Sequence, residues 1–124
     1  RDVSMVAVKM VEPSGYGRVL QDGDGGVVGI IEEADATPTQ RRINTVNSGI
    51  YCVKRQVLEQ CLSPLRADNV QGELYLTDIV GIAHGNGLRV GALISEDEKE
   101  LKGVNTLDDL ARVTSILSES AEIA

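Results

Sequence analysis

The stretch RVLQDGDGGVVGIIEE, residues 18–33, decides the fold class because it predicts a β-hairpin. Apolar residues flank a turn that contains two Asp-Gly pairs, which is a strong short-range hairpin signal. We predict one strand at residues 18–21 and its partner at residues 27–32. Strands and helices alternate along the rest of the chain, and this alternation favours an α/β fold with a mixed sheet and flanking helices.

The other elements are predicted from apolar periodicity. Short apolar runs at residues 4–11, 47–53 and 88–94 are typical of strands. Residues 32–46 are polar and contain Pro38, which predicts a long loop with one helical turn at residues 38–42. Three helices are also predicted. Two follow from stripes of inward-facing residues, which are Val57, Leu58, Cys61 and Leu62 in the first and Leu76, Ile79, Val80 and Ala83 in the second. The third follows from a capping pattern, with Thr106 and Asp109 at its start.

Composition excludes several classes of function. The chain has 124 residues, of which 42% are apolar, enough for one domain with a core. Twelve basic against 19 acidic residues give a net charge of −7, which opposes binding to nucleic acids or anionic membranes. No apolar run approaches the roughly 18–20 residues of a membrane span, and no signal-peptide pattern is present. We therefore expect a cytoplasmic protein.

Neither metal-site pattern in the sequence is complete. Asp22, Asp24 and Glu33 match positions 1, 3 and 12 of a calcium loop, but position 6 is Val27 instead of glycine and helical flanks are absent. The two cysteines lack a C-x-x-C spacing, and His84 is the only histidine, which makes a zinc site improbable. We expect reduced structural thiols and a histidine at a helix end.

The glycines of PSGYGRV, residues 13–19, suggest a phosphate loop, but the pattern fails. A Walker-type loop needs Lys and Ser or Thr after its last glycine, and neither is present. The dinucleotide fingerprint needs a third glycine where this chain has Leu20. The phosphates of a nucleotide are therefore not expected to bind at this loop.

Polar residues at predicted strand ends and in loops are the remaining candidates for a site: Gly17, Glu32, Asn47 and Asn105. Ligands of open α/β sheets bind outside the strand ends, so this distribution is suggestive. Each residue also has a purely structural interpretation, as a turn glycine, a strand-end carboxylate, an Asx-turn or a helix entry. No nucleophile is paired with a base, and we assign no catalytic residue.

Four stretches in this order carry a family resemblance: PSGYGRV, IIEEADAT…QRRINTVNSGIY, NVQGELYLTDIV and KGVNTLDDLA. Together they closely resemble the C-terminal half of the uridylyltransferase (pyrophosphorylase) domain of bacterial N-acetylglucosamine-1-phosphate uridylyltransferases, which are bifunctional enzymes. The resemblance covers about residues 5–115. It implies part of a Rossmann-like nucleotidyltransferase fold.

The resemblance also implies an activity and a site. Family members make UDP-N-acetylglucosamine, a cell-wall precursor, and pyrophosphate from UTP and N-acetylglucosamine 1-phosphate, with Mg²⁺. It implies that the backbone of Gly17 contacts the sugar nucleotide, that Glu32 binds sugar hydroxyls and that Asn47 reaches the sugar region. Asn105 would contact the ligand and coordinate Mg²⁺, and Tyr75 and Thr77 would line the pocket of the N-acetyl sugar. Arg18 is expected to be structural.

The sequence departs from the family pattern at Ala34, Ser48 and Thr106, and Ala34 stands where the family commonly has a lysine. The family's nucleotide-binding N-terminal half, with its metal-binding Asp, and its β-helical acetyltransferase domain have no counterpart here. We therefore expect residues 1–124 to be a single partial domain, inactive alone, that associates with itself through exposed sheet edges. Two alternatives stay open: another sugar-1-phosphate nucleotidyltransferase, and a binding or assembly module.

Overall fold

The computed structural model describes residues 1–65, 72, 74–99 and 107–123. Within these ranges the chain forms five strands and three α-helices, with two short 3₁₀ turns at Glu33–Asp35 and Gln40–Arg42. Their bounds in chain order are β1 Val3–Lys9, β2 Arg18–Gln21, β3 Val27–Ile31, β4 Thr45–Val53, α1 Arg55–Leu62, α2 Asp78–Gly85, β5 Val90–Ser95 and α3 Leu107–Ile123.

The five strands form one mixed sheet in the order β3-β2-β4-β1-β5. β1 pairs parallel with β5 and antiparallel with β4, while β2 pairs antiparallel with both β3 and β4. The predicted α/β fold with a mixed sheet is therefore confirmed. The hairpin of β2 and β3 lies at one edge of the sheet and β5 at the other.

The hairpin turn is built around Asp22. Its amide nitrogen donates to the carbonyl of Gly26, and its Oδ1 accepts the amides of Asp24 and Gly26, each at 2.9 Å. Gly25 has a φ of +81°, a left-handed conformation that costs glycine little. The Asp22 carboxylate therefore serves to close the turn.

The main core lies on one face of the sheet. Alternate residues Val3, Met5 and Ala7 of β1 are fully buried there. Helices α1 and α2 both pack on this face and complete the cluster with their own buried side chains, which are Val57, Cys61, Ile79, Val80 and Ala83. A smaller cluster of Val8, Met10 and Val46 occupies the other face, with Tyr16 packed against it.

Two predicted core positions are wrong, both at helix ends. Leu76 is 54% exposed because α2 begins only at Asp78, so Leu76 lies in the preceding turn and off the helical stripe. Leu62, the last residue of α1, is 41% exposed. The start of α3 was predicted at Thr106, which lies outside the described residues.

An apolar row crosses the second face of the sheet. Register places Val6 of β1 opposite Ile50 of β4 and Leu93 of β5. Leu93 is 70% exposed and Ile50 49% exposed. The row therefore forms an exposed apolar strip on this face of the sheet. No helix within the described ranges is long and apolar enough to cross a membrane.

The two cysteines should differ in reactivity. Cys52 is exposed, whereas Cys61 is buried in the core and burial raises the pKa of its thiol. Because the thiolate is the reactive species, a water-soluble thiol reagent should modify one cysteine of the native chain quickly and the second only on unfolding. Cys52→Ser should abolish the fast phase. Two equally fast thiols would contradict the position of Cys61.

Candidate functional site

The loops at one end of the sheet are held together by Arg18, whose side chain is 2% exposed. Its Nε donates to the carbonyl of Ile43 at 3.0 Å and its Nη2 to the carbonyl of Arg41 at 3.2 Å. Its Nη1 donates to the carbonyl of Tyr16, and Nη2 forms an ion pair with Glu33 Oε1 at 3.2 Å. The guanidinium therefore joins the segment at residues 41–43 to Tyr16 and to the Glu33 carboxylate, which supports a structural role for Arg18.

Glu33 extends this network to the glycine loop. Its Oε2 accepts the amide of Gly15 at 2.8 Å, while its carbonyl accepts Nε of Arg41 at 3.2 Å. Both carboxylate oxygens of Glu33 are therefore engaged, one by Arg18 and one by the loop. These two contacts of Glu33 hold the neighbouring residue Glu32 opposite the glycine loop at residues 13–19.

Gly17 lies directly against Glu32. A Cβ at Gly17 would come within 3.3 Å of Glu32 Oε2 and 3.2 Å of Cγ2 of Ile30, closer than most contacts of a real Cβ. A side chain at this position would therefore displace the carboxylate. The close approach of backbone to carboxylate explains the glycine without invoking a ligand.

Thr77 reaches the same carboxylate from α2. Its hydroxyl donates to Glu32 Oε1 at 3.1 Å. Thr77 is the N-cap residue of α2, yet its side chain makes no capping hydrogen bond to the helix. A threonine at the N-cap ordinarily caps its helix. The hydroxyl of Thr77 instead binds the carboxylate of Glu32, 45 residues away in the chain, so contacts from distant segments meet at Glu32.

Asn47 lies next to an irregularity in the pairing of β4 with β1. The register of β4 against β1 shifts between Val6 and Ala7 and skips Ser48 and Gly49, although the Ser48 hydroxyl donates to the carbonyl of Val6. The amide nitrogen of Asn47 donates to the carbonyl of Gly17 at 2.8 Å, and its Oδ1 accepts the amide of Gly49 at 3.0 Å. Bulges of this kind commonly redirect side chains next to active sites.

Four of the predicted site residues thus come together: Gly17, Glu32, Asn47 and Thr77. Tyr75 is half-buried in the segment before α2, where its carbonyl accepts the amide of Asp78. Asn105 lies outside the described residues. The ligand roles of all six stay predictions.

Sequence reasoning missed Tyr51 of β4. Its hydroxyl is buried and has no partner in good hydrogen-bond geometry in the described part of the chain, although the Asn47 side chain is near enough to act on it. Burial raises the pKa of Tyr51 to about 12, with the Asn47 side chain opposing the rise and the Glu32 carboxylate adding to it. The sequence signal that could have pointed to Tyr51 is that it lies on the same predicted strand as Asn47, a short distance along the chain.

A shallow cavity of about 290 Å³ opens beside this cluster and is lined by Gly15, Glu32, Glu33, Ala34 and Arg41. A larger cavity, of about 430 Å³, lies at the turn end of the hairpin and is lined in part by Arg1, Asp22 and His84. It contains none of the predicted site residues. We locate the candidate site at the smaller cavity, because polar groups converge there.

Within the described residues, no group of three or more His, Cys, Asp or Glu side chains is placed to hold a metal ion. The nearest carboxylates already have partners, since Thr77 donates to Glu32 and both oxygens of Glu33 are engaged. The described part of the site therefore does not supply a donor set for Mg²⁺, which prefers carboxylates and phosphate oxygens.

Comparison with known proteins identifies similar chains. A family model described as nucleotidyl transferase matches residues 1–123. The bifunctional protein GlmU of Mycolicibacterium vanbaalenii is 44% identical over 115 residues, covering 93% of this chain and 23% of the relative. The bifunctional protein GlmU of Thermobifida fusca is 42% identical over 116 residues, covering 94% and 24%. The chain thus spans about a quarter of the length of these relatives.

A solved structure is similar in fold. The nucleoside-diphosphate-sugar pyrophosphorylase of Vibrio cholerae RC9 superposes with a TM-score of 0.67 at 12% identity, covering 90% of this chain and 46% of that one. At this identity the likeness concerns the fold alone. Together with the mixed sheet and its flanking helices, it confirms the predicted nucleotidyltransferase fold.

Removal of the Arg18 side chain should destabilise the chain strongly. Arg18→Ala would leave three carbonyls and Oε1 of Glu33 without their donor, and losing a buried guanidinium with these partners costs about 3 kcal/mol. Arg55→Ala is the matched control, because the ion pair of Arg55 with Glu59 is exposed and should contribute less than about 1 kcal/mol. Urea unfolding measures both values. Equal losses would contradict the role given to Arg18.

Proposed function

This chain belongs to the nucleotidyl transferase family, and we propose that its 124 residues form the sugar-binding half of an N-acetylglucosamine-1-phosphate uridylyltransferase domain. The identity of 42–44% to GlmU proteins over most of the chain supports this assignment. The observation that carries it is that Thr77 and Gly17 meet at Glu32, while the amide of Asn47 is hydrogen-bonded to Gly17.

The geometry suits recognition of a hexose. A sugar ring offers several hydroxyls, and a carboxylate can accept hydrogen bonds from two of them. Oε1 of Glu32 is already oriented by Thr77, while Oε2 faces the backbone of Gly17. We infer that the backbone of Gly17 contacts the sugar nucleotide, that Glu32 grips sugar hydroxyls, that the Asn47 side chain lies beside them, and that Tyr75 and Thr77 border the N-acetyl group.

The proposed reaction needs no protein nucleophile. A phosphate oxygen of N-acetylglucosamine 1-phosphate attacks the α-phosphorus of UTP, and the bond from this phosphorus to the bridging oxygen breaks to release pyrophosphate. Such transfer asks the protein mainly for alignment and charge neutralisation. This chain's share is to hold and orient the sugar phosphate.

Mg²⁺ would offset phosphate charge in the intact enzyme, and we propose Asn105 as one ligand. An amide oxygen alone is a weak ligand for this ion, so a carboxylate of the nucleotide-binding half would be its partner. The net charge of −7 supports this division of roles between the two halves, because the cations that bind a triphosphate would belong to the nucleotide-binding half. We propose that the 124-residue chain alone is inactive and that the enzyme is cytoplasmic.

Calorimetry with UDP-N-acetylglucosamine tests the proposed site. The chain should bind it, and Glu32→Gln should weaken binding roughly tenfold or more, because a charged acceptor for sugar hydroxyls is lost. Glu59→Gln, on the exposed face of α1, should leave the affinity unchanged. An unchanged affinity of Glu32→Gln would contradict the proposal.

The same titrations separate the alternatives. A preference for a different sugar nucleotide in a panel would favour another sugar-1-phosphate nucleotidyltransferase. If the intact parent also binds UDP-N-acetylglucosamine but shows no turnover with UTP and N-acetylglucosamine 1-phosphate, a binding or assembly module would be favoured.

We further propose that the 124-residue chain associates with itself through the β5 edge. This strand ends the described sheet, and its exposed Leu93 continues the apolar row with Val6 and Ile50. Exposed edges with apolar side chains invite pairing with another chain.

Light scattering should find dimers or larger assemblies at high concentration. Leu93→Lys should shift the population toward monomer, because a charge on the edge opposes pairing, whereas Val11→Lys, at an exposed residue outside the sheet, should not. A monomeric wild-type chain at high concentration would contradict the proposed association.

A further inference from the structure

Arg41 brings a positive charge to the cavity that contains Glu32. The cavity is lined by Gly15, Glu32, Glu33, Ala34 and Arg41, so two carboxylates and one cation face the same space. A phosphate monoester carries a charge of about −1.5 to −2 at pH 7. A cavity that holds the ring of a sugar 1-phosphate beside a carboxylate therefore needs a positive group near the phosphate, because like charges repel.

Arg18 does not supply this charge, although it lies close by. Its side chain is 2% exposed, and its donors are taken by three backbone carbonyls and by Oε1 of Glu33. The ion pair also offsets the charge of Glu33. Glu32, in contrast, accepts the neutral hydroxyl of Thr77 and forms no ion pair within the described ranges. The charge of Glu32 is therefore left without a paired cation.

The position of Arg41 is fixed at two points. It lies in the 3₁₀ turn Gln40–Arg42, where its carbonyl accepts Nη2 of Arg18 at 3.2 Å. Its own Nε donates to the carbonyl of Glu33 at 3.2 Å. Neither Nη1 nor Nη2 makes a hydrogen bond to a residue that the structure describes, and the residue is exposed. The guanidinium is thus anchored at the cavity wall with its outer nitrogens free.

These free nitrogens suit a phosphate. Nη1 and Nη2 project from one planar group and can bind two oxygens of the same phosphate, whereas an ammonium would act as a point charge. Because Nε is already held, less side-chain freedom is lost when a ligand binds. One cavity of about 290 Å³ therefore presents Glu32 as an acceptor for hydroxyls and Arg41 as a pair of donors for a phosphate.

We propose that Arg41 binds the phosphate of the sugar 1-phosphate and thereby distinguishes the phosphorylated sugar from the free sugar. This inference rests on the proposed function, because it takes Glu32 as the sugar site. In the sugar-nucleotide product, the same nitrogens would contact the phosphate attached to the sugar. The phosphates of UTP would still be bound by the nucleotide-binding half.

Titration of the chain with N-acetylglucosamine 1-phosphate and with N-acetylglucosamine tests this role, by calorimetry or, where binding is weak, by NMR. The wild type should bind the phosphorylated sugar roughly tenfold more tightly, and this preference should shrink as salt is added, because the charges are exposed. Arg41→Gln should lower the affinity for the phosphorylated sugar roughly tenfold and leave that for the free sugar unchanged. Arg41→Lys should bind the phosphorylated sugar with intermediate affinity, because it keeps the charge and loses the paired donors.

Arg42→Gln is the matched control, because Arg42 is the next residue, is exposed and does not line the cavity. Its affinities should equal those of the wild type. Equal losses in Arg41→Gln and Arg42→Gln would overturn the proposal, since they would indicate an effect of overall charge. A loss of affinity for both sugars in Arg41→Gln would also overturn it, since it would indicate a disturbed loop.

Failure of this inference can be told apart from failure of the proposed function. An unchanged affinity of Arg41→Gln for the phosphorylated sugar would overturn the role of Arg41 and leave the sugar site at Glu32 in place. A wild-type chain that binds neither sugar would refute the proposed function, and this inference with it.

Discussion

The buried guanidinium of Arg18 is the constraint on which the site end of the molecule depends. A charge this deep is tolerated only when its donors are met, and here three carbonyls and the Glu33 carboxylate meet them. The same hydrogen bonds tie the glycine loop to the long segment after β3. Glu33 then fixes its neighbour Glu32 against Gly17. The carboxylate that we propose to bind the sugar is thereby held by residues that need not touch a ligand.

The site combines rigid elements with local departures from regular structure. Thr77 is the N-cap residue of α2 but directs its hydroxyl to Glu32 rather than to the helix end. Asn47 lies where the pairing of β4 with β1 is irregular, and the buried hydroxyl of Tyr51 has no partner in good hydrogen-bond geometry within the described residues. Each feature forgoes a local stabilising interaction, and such costs tend to collect at functional sites. Thr77 meets Glu32 and Asn47 meets Gly17, so these features lie close together, and the sugar-binding proposal rests on this grouping.

The two faces of the sheet differ in how far they are covered. Both α1 and α2 pack on the face that carries Met5 and Ala7, whereas Val6 and Leu93 form part of an apolar row on the other. Parallel strand pairs such as β1 and β5 usually have both faces covered. The chain spans about a quarter of the length of its curated relatives. Under the proposed self-association, the exposed row would supply the apolar surface.

Sequence alone determined the strand and helix pattern, because hairpin turn chemistry and apolar periodicity are local signals that act over a few residues. It also singled out Gly17, Glu32 and Asn47 as polar candidates at strand ends and in loops, whereas Thr77 was named only through the family resemblance. Only the tertiary structure explains why Gly17 must lack a side chain, because the carboxylate of Glu32, which follows β3, lies against it. It also decided the partners of Arg18 and the burial of the Tyr51 hydroxyl. Such facts join residues distant in the chain, and no local pattern of residues encodes which distant atoms will meet.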